Sequence, residues 1–333
     1  MLATAVALLP VVAFLLLLVV FDSFKLVPKG TLAVGLLGGL MAALAASVLH
    51  GWIFDLTGIG TTTLSRYVAP LTEEALKTAA LLIPFVRRQI GFLVDAAIVG
   101  FAIGAGFALA ENVEYLRHLP QTGIWIWIAR GFGTAVLHGL TTTIVSLGTK
   151  SLIDRGHGLA AALLPGWLAA VVLHAVYNHA LVSPLLAAAM LMVVLPLVVL
   201  AVFTLSERKT REWVGAGLDL DMELLQLITS SAFPGTRLGR YLAELQSRFP
   251  GPVVADMFCL LQLDLELAIR VKGLLMAREA GLEVPVDDAL RARLEERTYL
   301  EKAIGRTALI ALRPLQVTGD RDQWHRYLLR QAK

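Results

Sequence analysis

The chain has 333 residues, of which 57% are hydrophobic and only 17% charged, and its mean hydropathy is +0.71. Soluble domains carry about 25% charged residues, so this composition excludes an ordinary soluble protein and indicates an integral membrane one. The net charge of +3 is small and mixed, which excludes a nucleic-acid surface, and the single cysteine, Cys259, excludes a disulfide framework or a cysteine metal cluster.

Seven apolar stretches are legible in chain order, at about 2–20, 31–50, 69–86, 92–116, 124–149, 158–183 and 184–205. Each is near the roughly 20 residues that a helix needs to cross the hydrocarbon layer. The first lacks a basic leader and a small-x-small cleavage site before Phe21, so it reads as a retained span rather than a signal peptide. Up to Leu205 there are 10 Lys+Arg and 8 Asp+Glu; 19 and 18 follow from Ser206. The expected architecture is therefore all-α: a polytopic membrane helix bundle over 1–205, then a soluble helical domain over 206–333.

The basic residues predict the orientation. Lys25, Lys29, Arg87, Arg88, Lys150, Arg155, Arg208, Lys209 and Arg211 follow the odd-numbered spans, against Arg66, Arg117 and Arg130 on the other side. This asymmetry predicts an outside N-terminus and a cytoplasmic C-terminal domain, with Trp125 and Trp127 as interfacial anchors at the outer end of span five.

The polar residues inside the spans are the next signal. Span three carries Glu73, Glu74 and Lys77 within two turns. A charge at mid-depth costs about 2.5–3.5 kcal/mol on insertion scales, so such residues face a bundle interior and pair with one another. Span four has Gly100 and Gly104, a spacing that lets membrane backbones approach, and then Glu111 and Asn112. His138 lies on span five; His174 and Asn178, four residues apart on span six, share a face. With the N-terminus outside, Glu73, Glu111 and His174 fall in the same leaflet.

Carboxylates with His and Asn supply what peptide hydrolysis needs: a base for water, donors for the oxyanion and an acid for the leaving amine. Lys77, one turn after Glu73, offers an opposite charge to that carboxylate. The same groups also suit Zn²⁺, with Glu111, His138 and His174 as candidate ligands and one position open for water. There is no HExxH, and spacing alone leaves a metal-free and a zinc-dependent chemistry both open.

Three motifs occur in order: Glu73-Glu74-Ala-Leu-Lys77 fits EExxK, Phe107-Ala-Leu-Ala-Glu111 fits FxxxE, and His174-Ala-Val-Tyr-Asn178 fits HxxxN. Over roughly 30–200 the chain resembles the PrsW family of intramembrane proteases, within the clan of CAAX prenyl endopeptidases and Abi proteins. The CAAX branch has EExxxR and FxxxH, whereas here position 78 is threonine and the second motif ends in Glu111. The resemblance implies an intramembrane endopeptidase of a bacterial cytoplasmic membrane, making a site-1 cut in a single-pass substrate such as an anti-sigma factor. It also implies Glu73 or Glu74 as the base, Glu111 as a supporting carboxylate, and His174 with Asn178 as oxyanion donors. Lys77 and His138 enter as supporting residues from their places in the spans.

From Ser206 the pattern turns polar with helical period over 224–228, 238–245, 253–276 and 290–310, broken at Phe233-Pro234-Gly235, Pro250-Gly251-Pro252 and Pro285. It holds no catalytic cluster; His325 is alone, and its Arg/Glu neighbours read as a solvated helix face. A regulatory or substrate-recruiting domain is the expectation. Buried Glu, Lys and His also build carriers, but the EE motif has no counterpart in spans five to seven, as an internal repeat would require. A non-catalytic scaffold is the third reading.

Overall fold

The computed structural model describes residues 1–22, 27–119, 122–282 and 288–312, and among these there are helices and turns but no strand. Lys25, Pro285 and His325 lie outside the described residues. The chain divides into two compact units, Met1–Glu207 and Arg208–Lys333.

The first unit contains α1 (Leu2–Phe21), α2 (Lys29–Thr57), a short α3 (Thr61–Thr63) that runs through a π-helical turn (Leu64–Val68) into α4 (Ala69–Val86), and α5 (Leu93–His118). The fifth expected span is α6 (Ile124–Ile128), a π-helical segment (Ala129–Thr134) and α7 (Ala135–Ile153) in succession; α8 (Leu159–Asn178) and the start of α9 (Pro184–Thr229) follow. By length and composition, α1, α2, α5, α8 and α9 are apolar enough to cross a membrane. The other two long helices of this unit, α4 and α7, are the polar ones: α4 holds Glu73, Glu74 and Lys77, and α7 holds His138 and the run Thr141–Thr143. Polar side chains are tolerated there because neighbouring helices enclose them.

Helix α5 is the axis of the bundle, with every residue from Val94 to Ala108 buried. Its start is capped by its own carboxylate: Asp95 Oδ2 accepts the backbone N–H groups of Gly91 and Phe92, both at 2.9 Å. Glycines let the neighbours reach it. A side chain at Gly106 would strike the Leu36 carbonyl of α2, one at Gly39 the Ile103 carbonyl of α5, and one at Gly104 the His138 carbonyl of α7. Backbone-to-backbone approach of this kind is what small residues permit in lipid.

The glycine seam yields a first expected result. Gly104→Ala will lower the thermal unfolding midpoint in detergent, because its Cβ meets main chain, which cannot rotate away; overpacking costs about 1–3 kcal/mol. Gly51→Ala, which meets nothing within 4 Å, serves as the control. Equal midpoints for the two variants would contradict the seam.

The second unit contains the remainder of α9 with α10 (Arg237–Leu245), α11 (Gly251–Glu279) and α12 (Asp288–Leu312). Thr236 caps α10, its Oγ1 accepting from Gly239 N at 3.0 Å. Helix α12 bends at Gly305, whose φ of 77° lies in the left-handed region. The charged residues here are not all a solvated face. Arg291 and Arg293 are exposed, but buried Arg297 pairs with Asp264 at 2.6 Å and Glu301 at 2.8 Å, and buried Lys272 with Asp221 at 2.6 Å. These pairs join α9, α11 and α12 from within, where helical periodicity by itself reports only a polar position.

Candidate active site

Pro70 stands in the first turn of α4, where its missing N–H is not needed, and the chain then turns Glu73 and Glu74 into the bundle. Adjacent positions on a helix point about 100° apart, so the two carboxylates meet different neighbours.

Glu74 is fully buried and heavily engaged. Its Oε1 accepts from Lys77 Nζ at 2.6 Å, His174 Nδ1 at 2.8 Å and Thr141 Oγ1 at 3.1 Å. Lys77, also fully buried, donates further to Thr141 Oγ1 and His138 Nδ1, each at 3.2 Å. Its ammonium lies 5.2 Å from the centre of the Phe107 ring, so the aromatic residue of the second motif faces this cation. The sequence reading paired Lys77 with Glu73; in the structure the direct partner is Glu74.

Glu73 is set differently. Its Oε2 is 3.8 Å from His174 Nε2, too far for a hydrogen bond and a distance that a single bridging atom spans. His174 Nδ1 donates to the carboxylate of Glu74, and Nε2 is the ring nitrogen turned toward Glu73.

His138 has the opposite tautomer. Its Nε2 donates to Glu111 Oε2 at 3.1 Å, and its Nδ1 accepts from Lys77. The two imidazoles meet edge to face with centroids 5.0 Å apart, and Phe107 packs on His138 at 4.8 Å. The structure therefore brings together Glu73, Glu74, Lys77, Glu111, His138 and His174 from α4, α5, α7 and α8.

Asn178 takes another place. Its Nδ2 donates to the Ser65 carbonyl at 2.9 Å, tying the end of α8 to the π-helical turn before α4. An oxyanion role for it would require that bond to be released or supplemented.

Two participants were not singled out by the motifs. Thr141 lies three residues after His138, hence on the same face of α7, and bridges Lys77 to Glu74. Arg130, which entered the sequence reading only as an orientation marker, sits 3.2 Å from Glu111 Oε2 through Nη2. Threonine at i+3 from a membrane histidine, and an arginine inside a span boundary, are the signals that would have found them.

The donor set suits a cation. Glu73, His138 and His174 each offer one ligand atom, all within 4.8 Å of one another, and all three residues are buried. Each histidine also has a carboxylate on one ring nitrogen, Glu74 on His174 and Glu111 on His138, as metal-binding histidines generally do. Two imidazoles and a carboxylate match the three protein ligands of a zinc-type catalytic site. The grouping contains Glu73 where the sequence reading had placed Glu111. With Nε2 given to Glu111, His138 has Nδ1 for a cation, so Lys77 would withdraw from that nitrogen.

No curated protein and no solved structure matches the chain. The model of one family, described as PrsW family intramembrane metalloprotease, matches residues 26–204 and so takes in every residue of the cluster. That match makes the protein a multi-pass membrane enzyme and a peptide hydrolase, in preference to a carrier or a scaffold. The chain belongs to the PrsW family of intramembrane metalloproteases.

Proposed function

We propose that this protein hydrolyses a peptide bond of a single-pass membrane substrate, with Glu73 as the general base at the cluster it shares with His174 and His138. The carrying observation is the asymmetry of the adjacent carboxylates: Glu74 accepts three hydrogen bonds, while Glu73 stands 3.8 Å from His174 Nε2, beyond hydrogen-bond distance. A base has to be within reach of water and not already committed to other donors.

In this reading Glu73 takes the proton of the attacking water and returns it to the leaving amine. His174 is oriented by Glu74, and Lys77 balances the charge of Glu74 so that an anion can persist at membrane depth. Glu111 holds His138 in the tautomer that keeps Nδ1 as an acceptor. A zinc-type ion held by His138 and His174 beside Glu73 would supply Lewis-acid polarisation of the carbonyl and a more acidic bound water for Glu73 to deprotonate. The family resemblance extends the substrate class to anti-sigma-factor-like proteins, the location to the bacterial cytoplasmic membrane, and the orientation to an outside N-terminus. The second unit is proposed as a regulatory or recruiting domain on the cytoplasmic side.

The test is cleavage of single-pass substrates by purified protein in liposomes, before and after chelation. The expected result is loss of cleavage with the chelator, restored by Zn²⁺. Full activity from protein shown to be free of metal would remove the ion from the mechanism. Absence of cleavage by folded wild type across an anti-sigma-factor panel would overturn the substrate assignment. A chain ending near Arg211 is expected to cut more slowly or less selectively, and unchanged rate and choice would refute a recruiting role for the second unit.

A further inference from the structure

Asn112 follows Glu111 directly in α5, and hydrolysis as described gives it no task. It is buried, and both ends of its amide are engaged: Nδ2 donates to the Ala7 carbonyl of α1 at 2.7 Å, and Oδ1 accepts from Arg130 Nε at 3.0 Å. The guanidinium of Arg130 lies 3.5 Å from the centre of the Tyr115 ring, stacked as arginine is on aromatic faces. Its Nη2 then lies 3.2 Å from Glu111 Oε2, as an ion pair without hydrogen-bond alignment. The same oxygen accepts from His138 Nε2 at 3.1 Å. One planar group, held on two sides by neighbours that do no chemistry, thus meets the carboxylate that sets the tautomer of His138.

We propose that Arg130 is a positioning residue of the hydrolytic site, held by Asn112 and Tyr115, which fixes Glu111 and through it the ring of His138. The inference rests on the proposed role of His138 and Glu111 in that site. Its physical basis is charge compensation and shape. A carboxylate on a membrane helix without a counter-charge reorients toward water or another donor, and His138 Nε2 then loses the partner that holds it. Lysine at this position would keep the charge but has no planar fork to reach Asn112 and Glu111 together while stacking on Tyr115. The π-helical segment Ala129–Thr134 carries the residue, and an extra residue in a helical turn is a common way to re-aim a side chain at a functional site.

The experiment compares wild type, Arg130→Gln and Arg130→Lys, with Arg117→Gln as a control in the last turn of α5. It has three readouts: kcat and KM for substrate cleavage, thermal stability, and NMR of isotope-labelled histidine rings, with the His138 signal assigned from His138→Gln. Arg130→Gln is expected to lose about 10–100-fold in kcat at unchanged KM, as loss of an outer-sphere partner typically does. It should also change the His138 tautomer signal, and Arg130→Lys should restore part of both. A kcat within twofold of wild type together with an unchanged His138 signal would overturn the proposal. So would equal loss in both variants with a matching fall in thermal stability, which is the mark of a purely structural role. If wild type cuts no substrate, the proteolysis reading fails, and the His138 signal in Arg130→Gln still decides whether Arg130 positions that ring.

Discussion

Glu73→Gln is expected to lower kcat for substrate cleavage by about 100- to 10,000-fold, the usual contribution of a positioned acid–base group, with little change in thermal stability. Glutamine keeps the shape of the side chain but removes the charge with which Glu73 takes a proton or faces a cation. Glu73 lies at the edge of the network, with Oε2 3.8 Å from His174 Nε2, so little of the packing depends on its charge. The same substitution at Glu74 should behave differently, since it removes the negative charge that Lys77, His174 and Thr141 all address. Glu74→Gln is therefore expected to lower both activity and thermal stability. If Glu73→Gln kept its activity while Glu74→Gln lost activity at full stability, the assignments of the two carboxylates would have to be exchanged.

Lys77→Met is expected to cost about 3–5 kcal/mol of stability, because it leaves the carboxylate of Glu74 buried without its counter-charge. The ammonium has no alternative route to water: both partners are fully buried, and the ring of Phe107 faces the lysine. Removing both charges should be milder. Lys77→Met combined with Glu74→Leu replaces the pair by apolar groups of similar size, which in other proteins is often neutral. The double variant is therefore expected to recover much of the stability but not the activity, since His174 Nδ1 would have lost its acceptor. Thermal unfolding in detergent measures the first quantity and substrate cleavage the second. A double variant no more stable than Lys77→Met would show that Thr141 and His138, rather than the ion pair, hold the site.

Much of the fold was legible because the bilayer restricts what a span can be. Helices α4 and α5 begin and end within about two residues of the expected 69–86 and 92–116, although α4 continues a helical run that starts at Thr61 and passes through a π-helical turn. The fifth span was less legible: a single apolar run at 124–149 conceals a π-helical segment, because an inserted residue leaves composition unchanged. In the second unit the Arg/Glu pattern reads as a solvated face, because periodicity reports polarity and not whether a partner waits across the helix, as Asp264 does for Arg297 and Asp221 for Lys272.

The sequence by itself determined that this is a helical membrane protein, that the polar and titratable residues within its spans gather on α4, α5, α7 and α8, and that three of its motifs are those of a protease family. These properties follow from solvent exclusion: a Glu, Lys or His in an apolar span requires an internal partner, whatever the details of packing. Tertiary structure decided which partner each one has. Glu73 and Glu74 are indistinguishable as letters, and only the places of His174, Thr141 and Lys77 commit one to three hydrogen bonds and leave the other 3.8 Å from His174 Nε2. Only the approach of α8 to the turn before α4 gives Asn178 to Ser65, and only the packing of the π-helical segment on α5 gives Arg130 to Glu111. The reason is geometric: neighbouring helix positions diverge by about 100°, so a rotation of part of a turn exchanges one set of contacts for another while the sequence stays the same.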